Sequence, residues 1–300
     1  MRKGTPHEPA AAQQAPNPPA SNIARSALHV ALRRAAHQLY DRPLVFHDPF
    51  AVPLLGSEHA HALRRTPLPG AGSRARPWSL ALRAFAVARS VYAEQQLATA
   101  CASGLRQYCI LGAGLDTFAW RNPHPGLHVW EMDQLPMQQW KQQLAAAAGL
   151  PEPHRVSVPA NLADPALAAT LTAAGWQPHL PTLFSMLGVA PYLEAAALQQ
   201  VLHLVRAQGA GSGIVLDYRL PRAALDLEEQ QQHDSLAARV AAAAEPFQQG
   251  WTPVTMAALL QGFSRVEDLD TATLNARFFA NRADGLATRG AAVRLVSAWV

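Results

Sequence analysis

The stretch QYCILGAGLDTFAW, residues 107–120, decides how the rest of the chain is interpreted. A short apolar run leads directly into Gly-Ala-Gly, and Asp116 follows two residues later. This order is typical of a buried strand that ends in a tight turn. Because glycine has no Cβ atom, such a turn lets another group approach the backbone. The stretch therefore predicts the first strand of a ligand-binding sheet, with Gly112 and Gly114 at its carboxyl end.

The segments that follow alternate between strand-like and helix-like patterns. The strand-like segments are apolar throughout, as in strands buried on both faces: HVWEMD, HRVSVPAN, PTLFSMLGV and GIVLDYRL. Between them lie helical patterns such as LPMQQWKQQLAAAAG and ADPALAATLTAAG, the second of which Asp164 and Pro165 are expected to open. SRVEDLD and AAVRLVSAWV are expected to finish the sheet. The alternation predicts an α/β, Rossmann-like fold with a mostly parallel, seven-stranded sheet and helices on both faces.

The chain divides into a tail and one domain. Residues 1–20 are rich in Pro, Ala and Gln and are predicted to be disordered. Residues 21–300 are predicted to form a single domain, whose first helix begins at a cap, Ser21 or Asn22. Its expected parts are an N-terminal helical cover (21–77), a cofactor-binding core (78–220), a helical lid (221–250) and the last part of the sheet (251–300). The core is expected to begin with a long helix, from about residue 78 to residue 103.

Composition excludes several classes of protein. With 49% apolar and 15% charged residues, the chain is expected to be globular with a sizeable core. The net charge of +4 comes without an interleaved aromatic-basic stripe, which argues against a nucleic-acid partner. The longest uncharged region, 176–193, contains three prolines, so we expect no membrane helix. The two cysteines, Cys101 and Cys109, suit a reducing compartment, and we expect the protein to be cytoplasmic.

The end of the second strand adds a carboxylate. Asp133 lies about twenty residues past the glycines, where a carboxylate can accept hydrogen bonds from both hydroxyls of a ribose. Asp133 could also cap the helix that follows, and the two roles are compatible. A dinucleotide fingerprint, G-x-G-x-x-G, would need glycine where this chain has Thr117, which disfavours an NAD-dependent oxidoreductase. Together these residues predict an adenosine-containing ligand.

Three segments resemble a known family: RQYCILGAGLDTFAWR, VWEMDQLPMQQWK and PTLFSMLGVAPYL. They are similar to the leucine carboxyl methyltransferase family of class I S-adenosylmethionine enzymes, and more closely to its bacterial branch of small-molecule O-methyltransferases. The resemblance extends from ALHVALRRA and FHDPFA to GIVLDYRLP, and beyond Pro221 it is loose. It implies the class I methyltransferase fold and S-adenosyl-L-methionine as cofactor.

The resemblance also implies roles for single residues. Gly112, Ala113 and Gly114 would lie under the methionine part of the cofactor, and Asp133 would hold the ribose. Arg89, in AVARSVYAE, would approach the cofactor carboxylate, where a fork-shaped cation suits two oxygens, although an exposed helix arginine is the alternative.

The chain departs from the family pattern at two places. Asn161, followed by Leu162, replaces an aspartate that accepts from the adenine amino group, and an asparagine carbonyl can still accept that bond. Leu187-Gly188 replaces Glu-Gly, so one carboxylate of the pattern is missing. Asp116 is expected to shape or cap the turn rather than to bind the ligand.

No catalytic residue stands out. An ionised carboxylate acceptor needs no base, whereas a phenol or an alcohol would need one, most naturally a histidine. The candidates His37, His47 and His233 sit in no distinctive motif, and the His47-Asp48 pair does not complete a metal site, so no metal is predicted.

The acceptor site is less defined than the cofactor site. Tyr192 lies near the expected cleft, where it lines the pocket or packs the core. Arg33 or Arg34 could pair with an acceptor carboxylate, or lie exposed.

The leading hypothesis is an S-adenosylmethionine-dependent O-methyltransferase whose partner is a small-molecule acceptor, a carboxylate or a polyketide-like hydroxyl. The alternatives are a methyltransferase-like binding or assembly protein without catalysis, in line with Asn161 and Leu187, and a protein C-terminal carboxyl methyltransferase. The sequence does not predict an oligomeric state.

Overall fold

The computed structural model of the chain describes residues 23–65, 80–242 and 246–300. Its strands form one seven-stranded sheet in the order β3-β2-β1-β4-β5-β7-β6. Only β7 runs antiparallel to its neighbours, and the other pairs are parallel. The strands are β1 (Gln107–Leu111), β2 (His128–Asp133), β3 (Val156–Pro159), β4 (Thr182–Met186), β5 (Gly213–Arg219), β6 (Arg265–Leu269) and β7 (Val293–Trp299). The predicted sheet is confirmed, including its last two strands.

Helices flank both faces of the sheet. They are α1 (Ile23–Tyr40), α2 (Gly56–Arg65), α3 (Leu80–Ala102), α4 (Phe118–Arg121), α5 (Leu135–Ala147), α6 (Leu167–Ala173), α7 (Ala195–Arg206), α8 (Leu227–Ala242), α9 (Pro253–Leu259) and α10 (Thr271–Phe278). None of the described helices is long and apolar enough to cross a membrane. The predicted tail, the Ser21 or Asn22 cap and the start of the long helix before Leu80 lie outside the described residues.

The predicted start of one helix is wrong. Helix α6 starts at Leu167, not at Asp164 and Pro165. The Asp164 carboxylate instead accepts a hydrogen bond from the Ala166 amide at 2.8 Å, which closes a turn ahead of the helix. Aspartate competes for local backbone amides in this way, so it can mark a turn as readily as a helix start.

The core lies in layers around the central strands. β1 and β4 are buried at every position, which explains their continuous apolar sequence. One face of the sheet packs on α6 and α7 in a cluster that includes Trp176, Phe184 and Leu198. The other face packs on α3 and α10. A third cluster joins α1 and α2 to α5, so the N-terminal helices cover the carboxyl ends of β1 and β2.

The cysteines allow a simple test of this layering. Cys109 lies fully buried in β1, and burial raises the pKa of its thiol well above the usual value. Cys101 is partly exposed, and burial raises its pKa as well. Because the thiolate is the reactive form, 5,5′-dithiobis(2-nitrobenzoate) at pH 8 should modify at most one thiol of the native protein and both after unfolding. A Cys101→Ser variant should not react until it unfolds. Two reactive thiols in the native protein would contradict the placement of β1.

Candidate functional site

A cavity of about 710 Å³ opens at the carboxyl ends of the central strands. Its volume falls in the range of small-molecule and cofactor sites. Its lining includes every residue that the sequence predicted for the cofactor or the acceptor: Arg33, Arg89, Gly112, Ala113, Gly114, Asp133, Asn161, Leu162 and Tyr192. Residues far apart in the sequence therefore meet in one site.

The turn after β1 is held by the strand beside it. Gly112 and Gly114 have φ values of 70° and 47°, a left-handed conformation that favours glycine. The amides of Gly112 and Ala113 both donate to the Met132 carbonyl oxygen, at 2.8 and 3.0 Å. The Gly114 amide donates to Asp133 Oδ2 at 2.6 Å. The turn and the carboxylate at the end of β2 thus form one hydrogen-bonded unit.

Gly112 also has a packing role that the sequence did not suggest. A Cβ atom at this position would lie 2.4 Å from Cγ2 of Val189, in the loop after β4. A valine of the chain itself, rather than a ligand, therefore fills the space next to this glycine. The absence of a side chain lets the loops after β1 and β4 meet at the floor of the cavity.

We expect Gly112→Ala to destabilise the protein more than Gly149→Ala. Gly149 has a similar φ of 64°, but nothing lies within 4 Å of the place its Cβ would take. Both substitutions carry the left-handed penalty of about 1–2 kcal/mol. Gly112→Ala adds an overpacking cost of roughly 1–3 kcal/mol. Urea unfolding of both variants measures the difference, and equal losses would contradict the contact with Val189.

Asp133 is the acid of β2 that faces the cavity. Its side chain is nearly buried, and Oδ1 accepts from the Gln134 amide at 2.7 Å. Burial raises the pKa of Asp133, while the hydrogen bonds from Gly114 and Gln134 oppose that rise. Helix α5 starts after Gln134 without a side-chain cap, so the cap role is wrong. A carboxylate offers about four acceptor positions, which leaves room for two further donors.

The other acid of β2 serves the core. Glu131 Oε2 lies 2.7 Å from Lys141 Nζ and 2.9 Å from Arg155 Nε. It is buried and does not line the cavity. The two acids of HVWEMD therefore have separate roles.

Arg89 is not an exposed helix residue. It is 7% exposed, and its Nη1 lies 3.1 Å from Asp217 Oδ2 on β5. The Gly188 amide donates to Asp217 Oδ1 at 2.5 Å. A Cβ atom on Gly188 would lie 2.8 Å from both terminal nitrogens of Arg89, so glycine is required for this approach. Asp217 was missed by sequence reasoning, although an acid within the apolar run GIVLDYRL was an available signal.

The two departures from the family pattern both lie in the cavity lining. The Asn161 side chain is exposed, and its Oδ1 accepts from the Ala163 amide at 3.0 Å. Leu162 is buried beside it. Leu187 lines the cavity and packs on the cluster around α3, so at this position an apolar contact replaces a carboxylate.

Arg34 lines the cavity and also belongs to a network of ion pairs. Its Nη1 lies 3.4 Å from Asp116 Oδ2, and its Nε lies 3.8 Å from the buried Asp48. Asp116 also accepts from the Phe118 amide at 2.6 Å, which confirms its predicted role in the turn. The Thr117 hydroxyl donates to Asp48 at 2.7 Å. The network fastens α1 to the turn after β1.

The three histidines considered from the sequence lie elsewhere. His37 is buried and bonds Asp41 at 2.8 Å, His47 is exposed, and His233 lies beside Asp234 on α8. His29 on α1, which was not singled out, lines the cavity instead. The residue is exposed at its outer side, and partial desolvation, followed by the positive charges of Arg33, Arg239 and Arg25, lowers its pKa from the usual 6.5.

Four residues form an arginine-aromatic wall of the cavity: Arg33, Tyr192, Arg219 and Phe247. The rings of Tyr192 and Phe247 are 5.4 Å apart, and the Arg219 guanidinium lies 4.9 Å from the centre of the Phe247 ring. Leu236 and Val240 of α8 line the same cavity. The segment predicted as a lid thus supplies part of the lining.

Sequence comparisons place the chain among methyltransferases. The leucine carboxyl methyltransferase family profile matches residues 27–206. An inferred S-adenosyl-L-methionine-dependent methyltransferase of Saccharopolyspora erythraea is 35% identical over 211 residues, which are 68% of this chain and 71% of that protein. A protein of the same description from Bacillus subtilis is 30% identical over 285 residues, 85% of this chain and 91% of that protein.

Solved structures share the fold. A DUF574 family protein from Streptomyces avermitilis is 20% identical with a TM-score of 0.54, covering 73% of this chain and 83% of that one. An inferred methyltransferase from Thermobifida fusca is 17% identical with a TM-score of 0.54, covering 90% and 93%.

The fold is that of a class I methyltransferase. The chain belongs to the leucine carboxyl methyltransferase family. The predicted family is thereby confirmed, and the relatives are named for the cofactor that the resemblance predicted, S-adenosyl-L-methionine.

Proposed function

We propose that the chain is an S-adenosylmethionine-dependent O-methyltransferase acting on a small molecule. The observation that carries the proposal is the joint placement of Asp133 and Arg89 in one cavity. Asp133 has acceptor positions to spare for two ribose hydroxyls. Arg89, fixed by Asp217, is a buried cation for the amino-acid carboxylate of the cofactor. These two groups are suited to the ribose and to the amino-acid end of S-adenosylmethionine.

The other residues that line the cavity also suit S-adenosylmethionine. Gly112, Ala113 and Gly114 would lie under its methionine part, Asn161 would accept from the adenine amino group, and Leu162 would pack on the base. Thr117, buried and bonded to Asp48, occupies the third glycine position of a dinucleotide fingerprint, which counts against NAD.

The chain's own contribution to the chemistry is binding, alignment and exclusion of water. S-adenosylmethionine held by Asp133 and Arg89 would supply a sulfonium methyl group, which the acceptor oxygen would take as the electron pair of the C–S bond goes to sulfur. The lid residues Leu236, Val240 and Phe247 would shield the acceptor from water. An ionised carboxylate needs no proton transfer, whereas a hydroxyl needs a base.

Substitution of His29 would distinguish a carboxylate acceptor from a hydroxyl acceptor. Among the described lining residues it is the one histidine, and its lowered pKa keeps it neutral and able to accept a proton at pH 7. His29→Gln should leave methylation of a carboxylic acid unchanged and slow methylation of a phenol about 100-fold. Loss of both activities would instead indicate a role for His29 in folding or binding.

Transfer of a labelled methyl group to a panel of aromatic and aliphatic acids and phenols tests the proposal. A methyl ester releases methanol in mild base, whereas a methyl ether does not, so the product identifies the acceptor oxygen. Tight binding of S-adenosylhomocysteine with no transfer to any acceptor would support the alternative, a binding protein without catalysis.

A further inference from the structure

The turn after β1 is also held from outside the cavity, by the N-terminal helical cover. Each of the three residues that follow the Gly-Ala-Gly turn bonds a side chain of this cover. The Leu115 carbonyl oxygen accepts from Arg34, and the Asp116 carboxylate lies 3.4 Å from the same guanidinium. The Thr117 hydroxyl donates to Asp48 Oδ2 at 2.7 Å. The cover is therefore attached to a continuous stretch of chain beside the glycines.

Asp48 is the centre of this attachment. Its side chain is completely buried, accepts from the Phe50 amide at 3.2 Å and lies 3.3 Å from Arg121 Nε. The Arg121 guanidinium in turn pairs with Glu94 on α3, at 2.7 Å. Of these residues and Thr117, all of them within the described chain, none lines the cavity. They support the cofactor site from behind and are not placed to contact a ligand.

The cover also packs directly on the turn. A Cβ atom on Gly114 would lie 3.2 Å from Cβ of Ala27 on α1. The Gly114 amide, for its part, donates to Asp133 Oδ2 at 2.6 Å. Gly114 thus joins the cover to the carboxylate that is proposed to hold the ribose. Because closely packed interiors transmit strain, a shift of the cover would displace Gly114 relative to Asp133.

The position of the cover also decides whether the cavity is closed. Ala27, Val30 and Arg34 of α1 belong to the cavity lining, so a cover that left its place would open this side to solvent. A closed site strengthens the electrostatic interactions inside it, because water is expelled. The same helix therefore supports the turn and closes the cavity.

We propose that cofactor binding and packing of the N-terminal helical cover are coupled through the contact between Asp48 and Thr117. This inference rests on the proposed function, since it assigns how the cofactor site is held in its binding conformation. Asp48 and Thr117 are positioning residues, which act on the ligand through Gly114 and Asp133. Coupling is reciprocal, so a cover that strengthens cofactor binding is itself held in place more firmly when the cofactor binds.

Thr117→Val tests the coupling, because valine is close to threonine in shape but lacks the hydroxyl that donates to Asp48. Isothermal titration should show that S-adenosylhomocysteine binds about tenfold more weakly, which lies within the usual range of coupling between two sites. Thr117→Ser keeps the hydroxyl and should keep most of the affinity.

Thr288→Val is the matched control. Thr288 is also buried, and its hydroxyl donates to Asn275 Oδ1 at 2.8 Å, outside the cavity lining. Its substitution should lower the stability of the protein but leave the affinity for S-adenosylhomocysteine unchanged. An affinity in Thr117→Val equal to that of the unmodified protein, or an equal loss in Thr288→Val, would overturn the inference.

Hydrogen–deuterium exchange provides the reciprocal measurement, and it does not depend on the folding of any variant. Residues 41–55 of the cover do not line the cavity, so a ligand there cannot shield them by contact. Saturation of the unmodified protein with S-adenosylhomocysteine should nevertheless slow exchange of their amides about tenfold. Binding without this slowing would overturn the coupling alone. Absence of S-adenosylhomocysteine binding would overturn the proposed function and the coupling with it.

Discussion

Replacing Asp133 by asparagine (D133N) is expected to weaken S-adenosylhomocysteine binding about a hundredfold. The substitution removes the negative charge that would accept the ribose hydroxyls. It also places an amide NH₂ against one of two backbone amides, those of Gly114 and Gln134, which now bond the carboxylate. At a ligand concentration a hundredfold above the original dissociation constant, stabilisation should fall from about 2.7 to about 0.4 kcal/mol. Thermal unfolding with and without the ligand measures this fall.

Asp164→Asn provides the matched control for D133N. Asp164 also follows a strand and accepts from a backbone amide, but it lies outside the cavity lining. Its substitution should leave the ligand-induced shift intact. A full shift in D133N would mean that the ribose is not held by Asp133.

Replacing Arg89 by methionine (R89M) should have the largest effect on stability. The substitution leaves Asp217, which is 3% exposed, without the cation that now lies 3.1 Å away. Loss of one partner from a buried pair typically costs about 3–5 kcal/mol. Urea unfolding measures this loss of stability. Isothermal titration should show that R89M no longer binds S-adenosylhomocysteine tightly, because the carboxylate of the ligand has lost the arginine that would pair with it.

Two further variants make the R89M result specific. R89M combined with Asp217→Asn should recover part of the stability, because no buried charge is left unpaired, but should not recover ligand binding. Arg222→Gln, which breaks the exposed pair with Asp234, should leave both properties unchanged. Recovery of ligand binding in the double variant would show that Arg89 serves only to neutralise Asp217.

The parts of the site that the sequence predicts are those coded by short segments. Gly112, Gly114 and Asp133 lie at the ends of adjacent parallel strands, so their meeting follows from the strand order and the strand ends alone. The fold class could be predicted for a related reason. Strands buried on both faces leave a continuous apolar pattern, and β1, β4 and β5 have it.

The parts that could not be predicted depend on contacts between distant segments. Arg89 and Asp217 are 128 residues apart, and nothing local in either segment indicates that they pair. The same holds for Phe247, which reaches Tyr192 and Arg219 only once its segment has packed beside the loop after β4 and the end of β5. The sequence predicted the need for glycine at position 112 from the turn, but it did not predict the approach of Val189.

Isothermal titration of the unmodified protein with S-adenosylhomocysteine, and in parallel with NAD, tests the central claim most directly. We expect one molecule of S-adenosylhomocysteine to bind per chain and NAD not to bind, since Asp133 and Arg89 suit the ribose and the amino-acid carboxylate of the former and Thr117 disfavours the latter. Absence of S-adenosylhomocysteine binding, or preferential binding of NAD, would contradict the assignment of this cavity as a methyl-donor site.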